Sequence, residues 1–221
     1  MKTAQALRML KLQLEMNAKV NPGWLKAGYP FLRAAIVEGA EAMEHYGWKW
    51  WKQQSTDVPQ VRMELVDIWH FMLSHTLIAH DGDVVAATGE LTSSVESIYA
   101  GDAIYFDGRA YVLAAMTFTD RLELLIGLAV ARRTSLLLFE TLMGDMAMSW
   151  DDMYRQYVAK NVLNFFRQDH GYKQGTYIKI WFGEEDNVVL TRLMDTFEPG
   201  DTFMAELYKA LLAEYRKVLA A

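Results

Sequence analysis

Residues 60–80 read as a helix with a wide apolar face, and two carboxylates are set inside that face. Leu65, Ile68, Trp69, Met72 and Leu73 recur at three- and four-residue spacing, the period of a helix that turns one side to a core. Glu64 and Asp67 lie among Leu65, Val66, Ile68, Trp69 and Phe71. A charge in such surroundings needs a compensating partner. Any fold open to this chain has to bring that partner to the third helix.

The flanking sequence breaks into further helices. Over 3–17, Leu7, Leu10, Leu14 and Asn17 keep helical spacing until Asn21-Pro22-Gly23 stops them. A second helix is expected over 31–47, with Ile36, Ala40 and Met43 among its apolar positions and Gly47 at its end. The Trp48–Lys52 run then leads into a polar loop around Pro59, and Asp81-Gly82-Asp83 closes the third helix. Helices are expected over 84–99 and 119–143, around a piece from Tyr105 to Tyr111 that is loop or short strand. Ser149 with Asp152 reads as an N-cap, opening a helix that runs to His170 and stops at Gly171. Residues 172–187 read as loop or short strand, Glu198-Pro199-Gly200 as a turn, and 202–219 as a last amphipathic helix. No βαβ rhythm is present, so the fold class is all-α.

The 221 residues, 52% of them hydrophobic, suit one domain over 1–221. Its core is expected in 1–83 and 149–221, with 84–148 a variable segment that Gly89, Gly101, Gly108 and Gly144 would allow to hinge. A net charge of −6 argues against nucleic-acid binding. The lack of cysteine excludes disulfides, Cys-zinc sites and thiol nucleophiles. No apolar run is long enough for a membrane span. The first residues lack the apolar centre of a signal peptide, so the expected location is cytoplasmic (the host cytoplasm for a viral chain).

Glu38-x-x-Glu41 on the second helix and Glu64-x-x-Asp67 on the third each place two carboxylates on one helical face. If the two helices form an antiparallel hairpin, four carboxylates meet and repel one another unless cations neutralise them. Hard oxygen donors select Mg²⁺ or Mn²⁺, metals suited to triphosphate hydrolysis. The spacing by itself is common, recurring at Glu41/Glu44, Asp120/Glu123, Asp195/Glu198 and Glu198/Asp201, where a solvated face is the simpler account. Asp67-x-x-His70 is a near miss for a di-iron bundle motif, and His70 reads better as a core or supporting histidine.

Glu38-x-x-Glu41 followed after 22 residues by Glu64-x-x-Asp67 resembles the all-α nucleoside-triphosphate pyrophosphohydrolases. The strings Trp48–Lys52, Val66–Phe71, Lys160–Asn164, Phe166–Lys173, Tyr177–Trp181 and Glu185–Asn187 resemble the dimeric dUTPase branch specifically. The likeness covers 7–81 and 149–192. It implies a helical homodimer hydrolysing dUTP to dUMP and pyrophosphate by metal-activated water, and accepting dUDP as well. Rival readings are a pyrophosphohydrolase for dCTP or another nucleoside triphosphate, and a non-catalytic helical scaffold.

The resemblance also implies residue roles. Glu38, Glu41, Glu64 and Asp67 would hold Mg²⁺, with Glu38 or Glu41 activating water. Gln13 and Asn17 would read uracil, an amide offering both donor and acceptor. Trp51 would line the base pocket or sit in the core, and Lys52 would face phosphate or solvent. Lys160, Asn164 and Arg167, on one helical face, would join Tyr172, Lys173, Lys179 and Asn187 around the sugar and phosphates, or form a solvated basic face.

Overall fold

The computed structural model describes residues 1–97, 103–198, 200 and 202–220. The expected hinge residue Gly101, the turn residue Pro199 and Asp201 of the last acidic pair lie outside the described residues. The helices, in chain order, are α1 (Thr3–Val20), α2 (Phe31–Tyr46), α3 (Val58–Ala79), α4 (Val84–Ser97), α5 (Phe118–Val130), α6 (Leu136–Asp145), α7 (Trp150–Asp169), α8 (Asp186–Met194) and α9 (Phe203–Leu219). The strands are two small antiparallel pairs, β1 (Ala103–Phe106) with β2 (Arg109–Val112) and β3 (Ile180–Trp181) with β4 (Glu184–Glu185). The all-α reading holds.

Helix α3 is buried on nearly every side and is the axis of the molecule. It packs on α2, α1, α7 and α4, while α5 covers the outer side of α2 and α9 backs α7. Its Trp69 is fully buried, stacked on Phe139 and edge-on to Trp150. The Asp57 carboxylate caps its first turn by accepting from the Gln60 amide, with Pro59 just inside the start, where no donor is missed. Helix α7 opens on the expected box: Ser149 and Asp152 each accept the other's backbone N–H. Thr117 and Asp120 form the same box at α5, so Asp120 of the Asp120/Glu123 pair is a cap.

Several expectations are corrected. The single helix over 119–143 is two. Helix α5 ends at Val130, Arg132 takes φ 61° and Ser135 caps α6, because Arg132, Arg133 and Thr134 give the chain nothing apolar to bury there. Of the two forms expected for Tyr105–Tyr111, short strand is the one found, in a hairpin whose turn Asp107-Gly108 has φ 49° and 71° as two-residue hairpin loops require. Helix α8 has no counterpart in the reading of the sequence, which stops at a loop. On α2 the buried face is Leu32, Ala35, Gly39 and Ala42, while Ala40 is exposed. Small side chains there let two helices close in from different sides, and a Cβ built on Gly39 would lie 3.0 Å from Ile126 of α5. On α1 the buried set is Ala6, Met9, Leu10, Leu12, Gln13, Met16 and Asn17, with Leu7 and Leu14 only partly covered, since three helices press on it.

Gly47 ends α2 in the left-handed region, φ 86°, and its backbone N–H donates to the Met43 and Glu44 carbonyls. Gly47→Ala is expected to lower stability by about 1–2 kcal/mol, the cost of a left-handed L-residue. Its Cβ would also meet that of Gln54 at 3.0 Å. Urea unfolding checks this, and an unchanged midpoint would mean the turn relaxes freely.

Candidate active site

The turn between α2 and α3 closes on itself: the Asp57 amide donates to the His45 carbonyl (2.9 Å) and the Thr56 hydroxyl to that of Tyr46 (2.8 Å). Helix α3 therefore runs back along α2, the hairpin that the acid pairs require. Glu38 and Glu41 from α2 and Glu64 from α3 each bring a carboxylate oxygen within 4.8 Å of the others. Burial is graded, from Glu64 at 7% exposure through half-buried Glu38 to exposed Glu41, so the cluster opens to solvent on the Glu41 side. Burial, then the Asp67 and Glu41 carboxylates, pushes Glu38 up to about 7. Burial, then Asp67 and Glu38, pushes Glu64 up to about 8. Such a set of crowded hard donors fits a small divalent cation. His45, which the motifs do not single out, places Nε2 3.5 Å from Glu64 Oε1.

Asp67 departs from the fourfold picture. Its Oδ2 accepts from Lys160 Nζ at 2.7 Å, and that lysine, from α7, is only 2% exposed. The ammonium also donates to Asn187 Oδ1 at 2.9 Å. Arg167, two turns further along α7, forms a bidentate pair with Asp186 at 2.8 Å to each oxygen. It also reaches Asn187 Oδ1 (3.2 Å) and Asn164 Oδ1 (3.3 Å). Burial works against the Arg167 charge, but Asp186 outweighs it and holds the guanidinium above its ordinary value. Lys160, Asn164, Arg167 and Asn187 are thus brought together as the sequence predicts. Asp186 is the residue sequence reasoning missed: it is wholly buried and also accepts from the Tyr177 hydroxyl at 2.8 Å. An acid beside Asn187, facing a basic helix, was the available signal.

Gln13 and Asn17 face inward, in a polar seam between α1, α3 and α7. The Ser74 hydroxyl donates to the His70 carbonyl and so accepts from Asn17 Nδ2, both at 2.9 Å. Asn17 Oδ1 then accepts from Gln13 Nε2 (3.0 Å), which turns Gln13 Oε1 to Tyr157 OH (2.9 Å) and His70 Nδ1 (2.8 Å). His70 therefore carries its proton on Nδ1, and burial pulls it down to about 3, leaving it neutral. It is a core histidine. Asn17 keeps one N–H and one lone pair uncommitted.

The remaining candidates lie apart. Trp51 is neither core nor beside Gln13 and Asn17; it is 59% exposed, edge-on to Trp48 and Trp50, in a loop too polar to fold inward. Lys52 is exposed in the same loop. Tyr172 is half-exposed under the Arg167 guanidinium, 5.7 Å away. Lys173 donates to the Val20 carbonyl at the end of α1 (2.8 Å), and Lys179 pairs with Glu185 (3.1 Å). A cavity of about 730 Å³ lies elsewhere, between Arg8, Asp151, Arg155 and Phe203.

A family model described as dUTPase matches residues 5–172. The match spans α1 to α7 and takes in Gln13, Asn17, the acidic residues, Lys160, Asn164 and Arg167, ending before Lys179 and Asn187. No curated protein matches the chain. No helix among the described residues is long and apolar enough to cross a membrane.

Without divalent cations the raised carboxyls favour the folded state while protonated. That stability is fully present below their ordinary range and is lost as pH rises through about 7 to about 8. The melting temperature of chelator-treated protein is expected to fall from about pH 4.5 up to about 8 and to level off above it. Glu64→Gln, which removes one repelling charge, should melt about 2–4 °C higher than wild type at the alkaline end. Identical curves would show that the cluster is not strained.

Proposed function

Since the chain belongs to the dUTPase family, whose reaction is the hydrolysis of dUTP, we propose that it works through Mg²⁺, or Mn²⁺ in its place, held by Glu38, Glu41, Glu64 and Asp67. The observation that carries this reading is the crowding of three carboxylates from α2 and α3 within 4.8 Å. When bound, the metal supplies positive charge to the triphosphate and acidifies water. Glu38, half-buried between Glu41 and Glu64, takes the proton of the attacking water as general base. Attack at the α-phosphorus expels pyrophosphate and leaves dUMP. dUDP, one phosphate shorter, is accepted at the same place.

Asn17 meets the uracil edge with its uncommitted N–H and lone pair, held in orientation by Gln13 and Ser74. Lys160, Asn164, Arg167 and Asn187 face the sugar and phosphates, with Tyr172 beside them. Trp51, Lys52, Lys173 and Lys179 join only if their loops close over the nucleotide. The active form is a homodimer, supported by an apolar groove of about 360 Å³ between Tyr29, Phe31, Val37 and Phe71, and its location is cytoplasmic.

Pyrophosphate release from dUTP, dCTP and dTTP, with and without Mg²⁺, tests the reading, beside phosphate release from dUDP. Turnover should require metal and favour dUTP. Glu64→Gln should lower kcat/KM by about a hundredfold, as the loss of a group that organises the metal does. Asn17→Leu should cost about tenfold, the price of one unpaired buried polar group, and leave the metal requirement intact. Turnover of dUTP that persists in chelator would refute the metal reading.

A further inference from the structure

The acid cluster has two buried cations, Lys160 and Arg167, beside it. Lys160 already touches Asp67, and Arg167 lies near enough to Asp67 to feel its charge. Either could slide onto the crowded carboxylates and do for them what a metal would. Each is held off by a second acceptor. Lys160 is drawn back by Asn187 Oδ1, the same oxygen that accepts from Arg167. Arg167 is held by both oxygens of Asp186, which accepts a third hydrogen bond from Tyr177. Asp186 is wholly buried and belongs to the first turn of α8, where its backbone amide is tied to the Lys179 carbonyl at 3.0 Å. It cannot follow the arginine if the arginine moves.

We propose that Asp186 is a positioning residue that keeps the acid cluster open to a divalent cation, by balancing Arg167 and, through Asn187, restraining Lys160. It touches neither metal nor nucleotide. Removing its charge releases a buried guanidinium whose remaining partners are Asn187, Asn164 and the negative charge of Asp67. Protein cations then compete with the metal for the same carboxylates. The inference rests on the metal reading given above.

Mg²⁺ alone, titrated against melting temperature without nucleotide, reads this directly. Asp186→Asn is expected to raise the half-saturating Mg²⁺ concentration about tenfold, the usual effect of losing a group that orients metal ligands. In assays with dUTP it should lower kcat unless Mg²⁺ is raised, with a smaller change in KM. Tyr177→Phe removes one hydrogen bond from Asp186 but no charge, and should leave the Mg²⁺ midpoint within about twofold. The decisive variant is Asp186→Asn with Arg167→Gln. Deleting both members of a buried pair is often tolerated by the fold, and without the rival cation the Mg²⁺ midpoint should return near wild type even while turnover stays low.

A purely structural Asp186 would lower the melting temperature and leave the Mg²⁺ midpoint where it was, overturning the proposal. So would Tyr177→Phe matching Asp186→Asn, or a double variant that binds Mg²⁺ as weakly as the single one. If Asp186→Asn does not fold, Asn187→Ala, which removes the acceptor that Lys160 and Arg167 share, takes its place: a raised Mg²⁺ midpoint supports the role, and an unchanged one ends it. A wild type whose melting Mg²⁺ never shifts fails the metal reading itself, and this inference with it.

Discussion

Like-charge repulsion inside a helical hairpin organises this protein. Helix α3 supplies the central surface of the core, and its burial carries Glu64 and Asp67 out of water against Glu38 and Glu41 of α2. Hydrophobic packing is favourable in bulk and indifferent to where a carboxylate lands. The acids are therefore carried inward by their neighbours, and the rest of the molecule has to live with them. The response is graded. Asp67 receives a lysine, Glu38 and Glu64 are pushed toward neutrality, and Glu41 stays at the solvent edge.

That gradation makes the cluster a site rather than a defect. A fully compensated set of carboxylates would have no affinity left for an added cation. A wholly uncompensated one would cost the fold several kcal/mol per buried charge. One ammonium for four carboxylates lies between these limits. Lys160 and Arg167 are each shared with an acceptor on the α8 side, so the positive charge next to the acids is rationed by a different part of the chain.

The acid pairs, the Ser149 cap and the Gly47 stop were legible in the sequence because each depends on neighbours three or four residues away. The split at Arg132, the short helix α8 and the true face of α2 were not. They are decided by which distant helix comes to rest against them, as Ile126 does against Gly39. The polar residues divide the same way. Lys160 and Arg167 declared themselves by helical spacing, whereas Asp186 comes to them only because the chain returns to α7 after sixteen intervening residues of hairpin and turn. Trp51 is not in the core, the other place its string allowed, because the loop that carries it leaves the indoles outside.

The contact between Gly39 and Ile126 bears on how chains of this shape can diverge. Helix α5 closes the back of the helix that presents Glu38 and Glu41, and it does so where α2 has no side chain at all. A lineage that shortened or replaced the central stretch would expose a strip of Ala35, Gly39 and Ala42 too narrow for solvent-facing bulk and too apolar to leave wet. It would have to refill that strip on α2 or recruit another helix to it. The few residues of α5 that lie on this seam are thus tied to their partners across it.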